Sequence, residues 1–334
     1  MIGVGIIGLG YWGPNLLRNF ASFDEVKIIG CCDKDPARLA RMSRQYPGLQ
    51  AFPSATALIE DERVELVVIA TPVQTHYPLA KQALEASKHV LVEKPMTATV
   101  AEAEELVVIA RGKDRILMVD QTFVYHPAVE KLHDVITRGE LGDICYYDSV
   151  RINLGLFQRD TSVLWDLAPH DVSIMEHLIH RPVKWVQAVG AKHVGQEVET
   201  MVYMTVQYGD NILAHCHVNW LSPVKLRQIL IGGSKRMAVY DDNLVTEKVK
   251  IYDRGVELHS IEGVHQAMVQ YRMGDMSAPA LSVDEALRRL VQHLLFCIRE
   301  SRTPVTDGTF GLRVVKVLAA AERSMQTGQR VSIV

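Results

Sequence analysis

The chain has 334 residues, 48% hydrophobic and 22% charged, with a net charge of −3, which is enough for two domains with sizeable cores. The near-balanced charge, without a basic block, gives nucleic-acid binding no electrostatic support, and no apolar run approaches the roughly 20 residues that span a bilayer. The five cysteines form no Cys-x-x-Cys pair, which suits reduced thiols in a cytoplasm, and the start MIGVGIIGLG lacks the positive flank and cleavage-type ending of a signal peptide.

The first 120 residues alternate short apolar runs with helical patterns. Strands are predicted over about 2–7, 26–32, 65–70, 89–92 and 116–119, and helices over about 12–22, 35–46, 76–86 and 99–110. That alternation implies a parallel sheet covered on both faces. The hexapeptide ELVVIA occurs twice, at 65–70 and 105–110. The first copy runs into Thr71-Pro72 and reads as a strand. The second follows AEAE, sets Ala103, Leu106, Val107 and Ala110 on one face, and reads as a helix because its flanks outrank local propensity.

Past residue 140, polar and apolar residues alternate in YYDSVRINLG, VKWVQAVGAKHV, TMVYMTVQY, ILAHCHVNWLS, KLRQILIGG and RMAVYDD, with turn signals such as Tyr208-Gly209-Asp210-Asn211 between them. These predict an antiparallel sheet. His215-Cys216-His217 suggests metal, but on a strand both histidines point to one face and Cys216 to the other. Two histidines without a third ligand nearby make a poor zinc site, so no metal is expected. Two helices close the chain. One opens at Ser282-Val283-Asp284-Glu285, a capping-box pattern with Leu281 as staple residue, and the other covers about 308–326.

Gly8-Leu9-Gly10-Tyr11-Trp12-Gly13 follows the first strand and opens the first helix, the context in which a GxGxxG pattern signals a dinucleotide. The first glycine permits the tight turn, the second admits a pyrophosphate to the backbone, and the third lets helix and strand pack closely. Asp33, ending the second strand, is placed to accept hydrogen bonds from ribose hydroxyls, which favours NAD over NADP; Lys34 and Arg38 leave NADP open. The boundary is set at 120, with a dinucleotide-binding Rossmann domain over 1–120 and a substrate-binding α+β domain over 121–334.

Residues 164–180, LWDLAPHDVSIMEHLIH, place Asp166, His170 and Asp171 at the start of an apolar run. A helix starting near Pro169 would put that proline in its first turn, where a missing N–H costs little. His170 then falls in the first turn, with Asp166 just outside it. The pattern fits a helix cap as well as a proton-transfer pair. Asp171 reads as a helix-start charge.

Val92-Glu93-Lys94-Pro95 after the fourth strand, Ala70-Thr71-Pro72 with His76 after the third, the glycine turn, and DLAPHD at 166–171 together resemble the Gfo/Idh/MocA oxidoreductases. TRGELGDI (137–144) and RTPVTDGTFGL (302–312) extend the likeness over essentially the whole chain. The resemblance implies a Rossmann domain joined to an α+β domain with a large open, mostly antiparallel sheet, and hydride transfer between nicotinamide and a carbinol carbon of a sugar or cyclitol. It implies that Gly8, Gly10, Tyr11, Trp12, Gly13, Asp33, Thr71, Pro72, His76 and Gln121 meet the cofactor, and that Glu93 and Lys94 lie under the nicotinamide. Lys94, His170 and Asp166 become the catalytic set. His170 is a proton acceptor of a residue type that titrates near neutrality, Lys94 a partner for the developing alkoxide, and Asp166 a group that orients His170 or binds a neighbouring hydroxyl. Members differ over whether the lysine or the histidine is the base. Many carry a glycine where this chain has Ala168.

Tyr125, Arg151, Asn153 and Trp165, with Gln158 in the following loop, are candidates for the substrate. Ordinary sheet polarity is the other reading of Arg151 and Asn153, and packing the other reading of Trp12 and Trp165. GYWGPNLLRNF, VLWDLAPHDVSI and NWLSPVKLRQ resemble the nucleotide-sugar branch, implying oxidation of the 3-hydroxyl of a UDP-N-acetylhexosamine or hexuronate. A free sugar or myo-inositol dehydrogenase is the rival, and a non-catalytic NAD(P)-binding regulator of the same fold a second one; retention of Lys94, Asp166 and His170 speaks against the latter. The implied partners are a sugar or nucleotide sugar and further copies of the chain, in a cytoplasmic homodimer or homotetramer built on the antiparallel sheet, with no nucleic acid and no membrane.

Overall fold

The computed structural model describes residues 1–155, 161–259 and 268–333. Its first part runs β1 (Ile2–Ile7), α1 (Gly13–Phe20), β2 (Val26–Cys32), α2 (Pro36–Gln45), β3 (Gln50–Ala51), α3 (Ala55–Glu60), β4 (Leu66–Ile69), α4 (His76–Glu85), β5 (His89–Glu93), α5 (Val100–Gly112) and β6 (Leu117–Asp120). The strands pair in parallel in the order β3-β2-β1-β4-β5-β6. Leu66–Ile69 and Val90–Val92 are wholly buried, as a sheet covered on both faces requires. Because all six strands run one way, Gly8, Ala70, Lys94 and Gln121 follow their carboxyl ends, the edge at which open α/β sheets bind ligands. The second ELVVIA copy lies in α5, whose start is fixed by a capping box between Thr99 and Glu102.

The chain continues through α6 (Pro127–Thr137), β7 (Ile144–Leu154), α7 (Val163–Leu178), β8 (Val183–Ala191), β9 (Met201–Tyr208), β10 (Leu213–Asn219), β11 (Leu221–Gly233), β12 (Met237–Asp241), β13 (Val249–Tyr252), β14 (Gly255–His259), β15 (Met268–Arg272), β16 (Met276–Ser277), α8 (Ala286–Arg299), α9 (Gly308–Thr327) and β17 (Val331–Ser332). Nine strands form one sheet in the order β16-β13-β12-β11-β7-β10-β9-β8-β17. All its pairs are antiparallel except β7 with β10. α7 packs on β7, β9 and β10. Val202, Met204, Val206, Ala214, Cys216 and Val218 are buried, whereas the intervening Tyr203, His215 and His217 stack on the opposite face. Cys216 and its flanking histidines therefore diverge as strand geometry dictates. Among the described residues no group of three or more His, Cys, Asp or Glu is arranged to hold a metal, and no helix is long and apolar enough to cross a membrane.

Three expectations change. The chain divides into Met1–Tyr125 with Asp284–Lys316, and His126–Val283 with Val317–Val334, rather than once at 120. The reason lies in α8: its buried stripe Leu287, Leu290, Val291, Leu294 and Leu295 packs on α1 and on the 3₁₀ turn Thr122–Tyr125, which returns this segment to the first unit. The capping box at Ser282–Glu285 does not form. Glu285 is itself the N-cap of α8, and its carboxylate takes a two-pronged hydrogen bond from Arg18 at 2.6 and 3.0 Å. Finally, α7 begins at Val163, so Pro169 lies inside the helix and Asp171 in its third turn, not at its start.

Candidate active-site residues

In the first unit the candidate residues are built on the glycine turn. Gly8 sits at φ +94°, and a Cβ on it would meet the Ala70 carbonyl oxygen at 2.4 Å; a Cβ on Gly13 would meet the Gly8 carbonyl oxygen at 2.0 Å. Gly10 differs, because the nearest atom to its Cβ position is Arg38 Nη1 at 3.6 Å. The protein leaves that side of the turn open, as close approach of a pyrophosphate requires. α1 has no side-chain cap; Pro14 carries no N–H and the Asn15 and Leu16 N–H groups donate to the Trp12 carbonyl, so the Gly13 N–H is the one this helix start offers to an anion. Tyr11 is 90% exposed and stacks on Trp12. Asp33 accepts the Leu9 N–H at 2.6 Å and the Asp35 N–H at 2.7 Å, so it braces the turn while two of its roughly four acceptor sites stay available to ribose hydroxyls. Arg38 lies 3.8 Å from Asp33 and 3.3 Å from Asp35, so its charge is already balanced by two carboxylates. That weakens the case for a 2′-phosphate.

Beyond β4, Thr71 receives a hydrogen bond from Thr75 at 2.7 Å, and Pro72 is exposed. His76 is buried, with Nδ1 2.9 Å from the Pro95 carbonyl and Nε2 2.7 Å from the Thr71 carbonyl. Burial pushes its pKa down against those two carbonyls. Each ring nitrogen thus faces a backbone carbonyl, and the neutral imidazole donates to one of them, tying the Thr-Pro loop to the Glu-Lys-Pro turn.

Glu93 and Lys94 are half-buried at the end of β5. Glu93 accepts the Lys94 N–H at 2.9 Å. Opposite Glu93 in the parallel register stands Asp120, which is 1% exposed and accepts Trp12 Nε1 at 2.8 Å and Thr122 Oγ1 at 2.5 Å. Trp12 is therefore fastened to the end of β6. Gln121 is equally buried, and among the described residues neither Oε1 nor Nε2 of its amide has a partner. An unmet buried amide costs about 1–3 kcal/mol, so this position suits a bound polar group.

The other unit carries its candidate residues on α7. Asp166 and His170 are four residues apart on one helix face and half-exposed, beside the buried Ala168, Pro169, Asp171 and Val172. Asp166 accepts the Trp220 Nε1–H at 3.1 Å. Trp220 is fully buried and held in turn by Gly155, whose N–H donates to the Trp220 carbonyl at 3.0 Å and whose Cβ position lies 2.3 Å from the indole. Nearby in sequence, Asn153 Oδ1 and Ser162 Oγ are buried with no partner among the described residues.

Two family models match the chain. One described as "Oxidoreductase family, NAD-binding Rossmann fold" covers residues 2–121, and the GFO/IDH/MocA C-terminal domain covers residues 129–239. The chain belongs to the Gfo/Idh/MocA oxidoreductase family. Among relatives of this Gfo/Idh/MocA protein, the UDP-N-acetylglucosamine 3-dehydrogenase of Acidithiobacillus ferrooxidans is 28% identical over 323 residues, covering 95% of this chain and 94% of its own. A solved structure of UDP-N-acetylglucosamine 3-dehydrogenase from that organism matches with a TM-score of 0.82 at 25% identity, covering 98% of each chain. A scyllo-inositol 2-dehydrogenase (NADP(+)) of Bacillus subtilis is 28% identical over 243 residues, 70% of this chain and 62% of its own.

Three substrate candidates of this Gfo/Idh/MocA chain sit elsewhere than expected. Tyr125 is 5% exposed, its hydroxyl is 3.2 Å from Thr306 Oγ1, and burial drives its pKa up; it is a core residue of the first unit. Arg151 is 3% exposed and forms a two-pronged ion pair with Asp171, at 2.6 and 3.3 Å, beneath α7. Trp165 donates its indole N–H to Glu322 on α9 at 3.2 Å. Gln158 lies outside the described residues. Two residues were missed: Asp120, signalled only by ending its strand level with Glu93, and Trp220, within NWLSPVKLRQ. A separate cleft of about 430 Å³, lined by His89, Arg111, Arg115, Leu117 and Arg302, lies at the opposite ends of β5 and β6 and takes no part in the glycine-turn site.

Proposed function

We propose that this chain is an NAD-dependent dehydrogenase that oxidises a secondary hydroxyl of a nucleotide sugar, of the UDP-N-acetylhexosamine or hexuronate 3-dehydrogenase type. The observation that carries the reaction class is the Asp166–His170 pair, a carboxylate and an imidazole on the half-exposed face of a helix otherwise packed into the core. The substrate class rests on likeness to the UDP-N-acetylglucosamine 3-dehydrogenase over nearly the full length of both chains. Gly10, Asp33, Glu93, Lys94 and Gln121 are assigned to the cofactor, which supplies the hydride acceptor when bound. His170 accepts the hydroxyl proton. Lys94 donates a hydrogen bond to the same oxygen as negative charge develops on it. Asp166, fixed by Trp220, sets the orientation of His170.

The test is a screen for reduced cofactor, with NAD⁺ and NADP⁺ in parallel, against UDP-sugars, free hexoses and inositols. Turnover of a UDP-sugar with NAD⁺ is expected. Turnover confined to inositols or free sugars overturns the substrate reading, and a clear NADP⁺ preference means that Arg38, not Asp33, governs the ribose pocket.

We assign a cytoplasmic homo-oligomer to the sheet face that carries Tyr203, His215 and His217, where Val189 is 62% and Leu213 45% exposed. Light scattering at micromolar concentration is expected to give a dimer or tetramer, and a monomer ends that assignment.

A further inference from the structure

Asp120 is buried and bonded by two side chains, and nothing in the reaction outlined above uses it. It ends β6 directly opposite Glu93, so the two side chains leave neighbouring parallel strands on the same face of the sheet. That register places the two carboxyl groups side by side, and Asp120 acts on Glu93 to raise it. A hydrogen bond between them needs a proton, because two bare carboxylates have only acceptors and repel. The donors around the pair decide which partner carries it. Asp120 receives Trp12 Nε1 at 2.8 Å and Thr122 Oγ1 at 2.5 Å, two bonds that favour its anion, while Glu93, among the described residues, receives the single Lys94 N–H at 2.9 Å.

We propose that Asp120 is a positioning residue that shares one proton with Glu93 at neutral pH, the proton residing on Glu93, and that it anchors Trp12 of the glycine turn through the same carboxylate. The Glu-Lys-Pro turn then presents Lys94 as its charged group and Glu93 as a neutral donor to Asp120. The charges facing the pair are consistent with this: Lys94 is the cation acting on both carboxyls, and Tyr125, kept neutral by burial, is the other titratable group that senses Asp120. Burial, then the neighbouring Asp120, raises Glu93 well above the usual carboxylate range. Asp120 is raised by burial against the bonds from Thr122, Trp12 and Glu93. The proton is therefore held by the folded chain and released on unfolding. The pair's contribution to stability is present below the ordinary carboxylate range and is lost as pH rises through the folded titration.

The proton sharing stands on the geometry of one unit, whereas its service to Lys94 rests on the proposed dehydrogenase reading, so the test avoids sugar turnover. Infrared difference spectra of the whole protein at pH 7 are expected to show the carbonyl stretch of a protonated carboxylic acid. Glu93→Gln should remove it. Asp120→Asn should remove it too, because an amide N–H donated to Glu93 favours the ionised form. A wild-type spectrum without the band, or a band that survives Glu93→Gln, overturns the proton assignment. For the anchor, NADH binding is read by energy transfer from tryptophan. Asp120→Ala should weaken it about tenfold, the worth of one buried hydrogen bond, and Asp120→Asn, which still accepts from Trp12, should recover most of the loss. Equal affinity in both variants, with thermal unfolding showing both folded, overturns the anchoring role. If wild-type chain binds NADH and shows the band but oxidises no sugar, the dehydrogenase reading fails and the pair stands.

Discussion

Turnover of the His170→Ala variant is expected to fall by about 10² to 10⁴, the usual worth of a positioned acid–base group, with folding and NADH affinity little changed. His170 is half-exposed, so truncating it leaves no large cavity, and it lies on α7, outside the Rossmann unit. Lys94→Ala should also depress turnover and weaken NADH binding, because Lys94 shares the end of β5 with Glu93. If both groups serve one hydroxyl, the double variant will be much less than multiplicatively worse. Steady-state rates for both singles and the double, with NADH titrations alongside, decide the matter. Normal turnover by folded His170→Ala would reduce the Asp166–His170 pair to helix architecture and leave proton removal to Lys94.

Arg151→Met should destabilise the second unit by about 3 to 5 kcal/mol, because it strands Asp171 as an unpaired charge in the core. The two side chains are 3% and 2% exposed and bonded through two guanidinium nitrogens, so water cannot replace the lost partner. At this domain size the loss corresponds to roughly 6 to 20 °C in melting temperature. The paired replacement Arg151→Met with Asp171→Leu should recover most of it, since an apolar pair of similar volume often matches a buried ion pair. Calorimetry of the three variants gives the answer. An Arg151→Met protein with unchanged melting but a raised KM would restore Arg151 to the substrate, as the alternating pattern of β7 first suggested.

What was legible in the sequence follows from how local each signal is. Five of the six parallel strands, the glycine turn and the helical fate of the second ELVVIA copy depend on nearest neighbours along the chain, and they emerged from spacing and flanks; the two-residue edge strand β3 carries too little pattern to be read. The buried ion pair did not. Arg151 reads as sheet polarity or a substrate ligand, and Asp171 as a helix-start charge, until tertiary packing brings together two residues 20 positions apart. Pro169 misled in the same way: a proline ordinarily marks a first turn, but here the helix starts at Val163 and runs through it. Asp120 and Trp220 were invisible because each acts through a partner far along the chain, Trp12 and Asp166 respectively. His76 sits in a recognisable motif, but only the geometry reveals that both its nitrogens face carbonyls.

The return of residues 284–316 to the first unit sets a schedule for biosynthesis. When Tyr125 leaves the ribosome the parallel sheet is complete in strands but lacks α8, against which α1 and the Thr122–Tyr125 turn pack. Roughly 190 further residues must be translated before the missing segment arrives, some 10 to 40 s at ~5–20 residues per second. Throughout that interval the nascent chain carries an uncovered apolar surface made for Leu287, Leu290, Val291, Leu294 and Leu295. The vectorial order of synthesis thus opposes early completion of the nucleotide-binding unit, and the exposed surface is of the kind that chaperones engage.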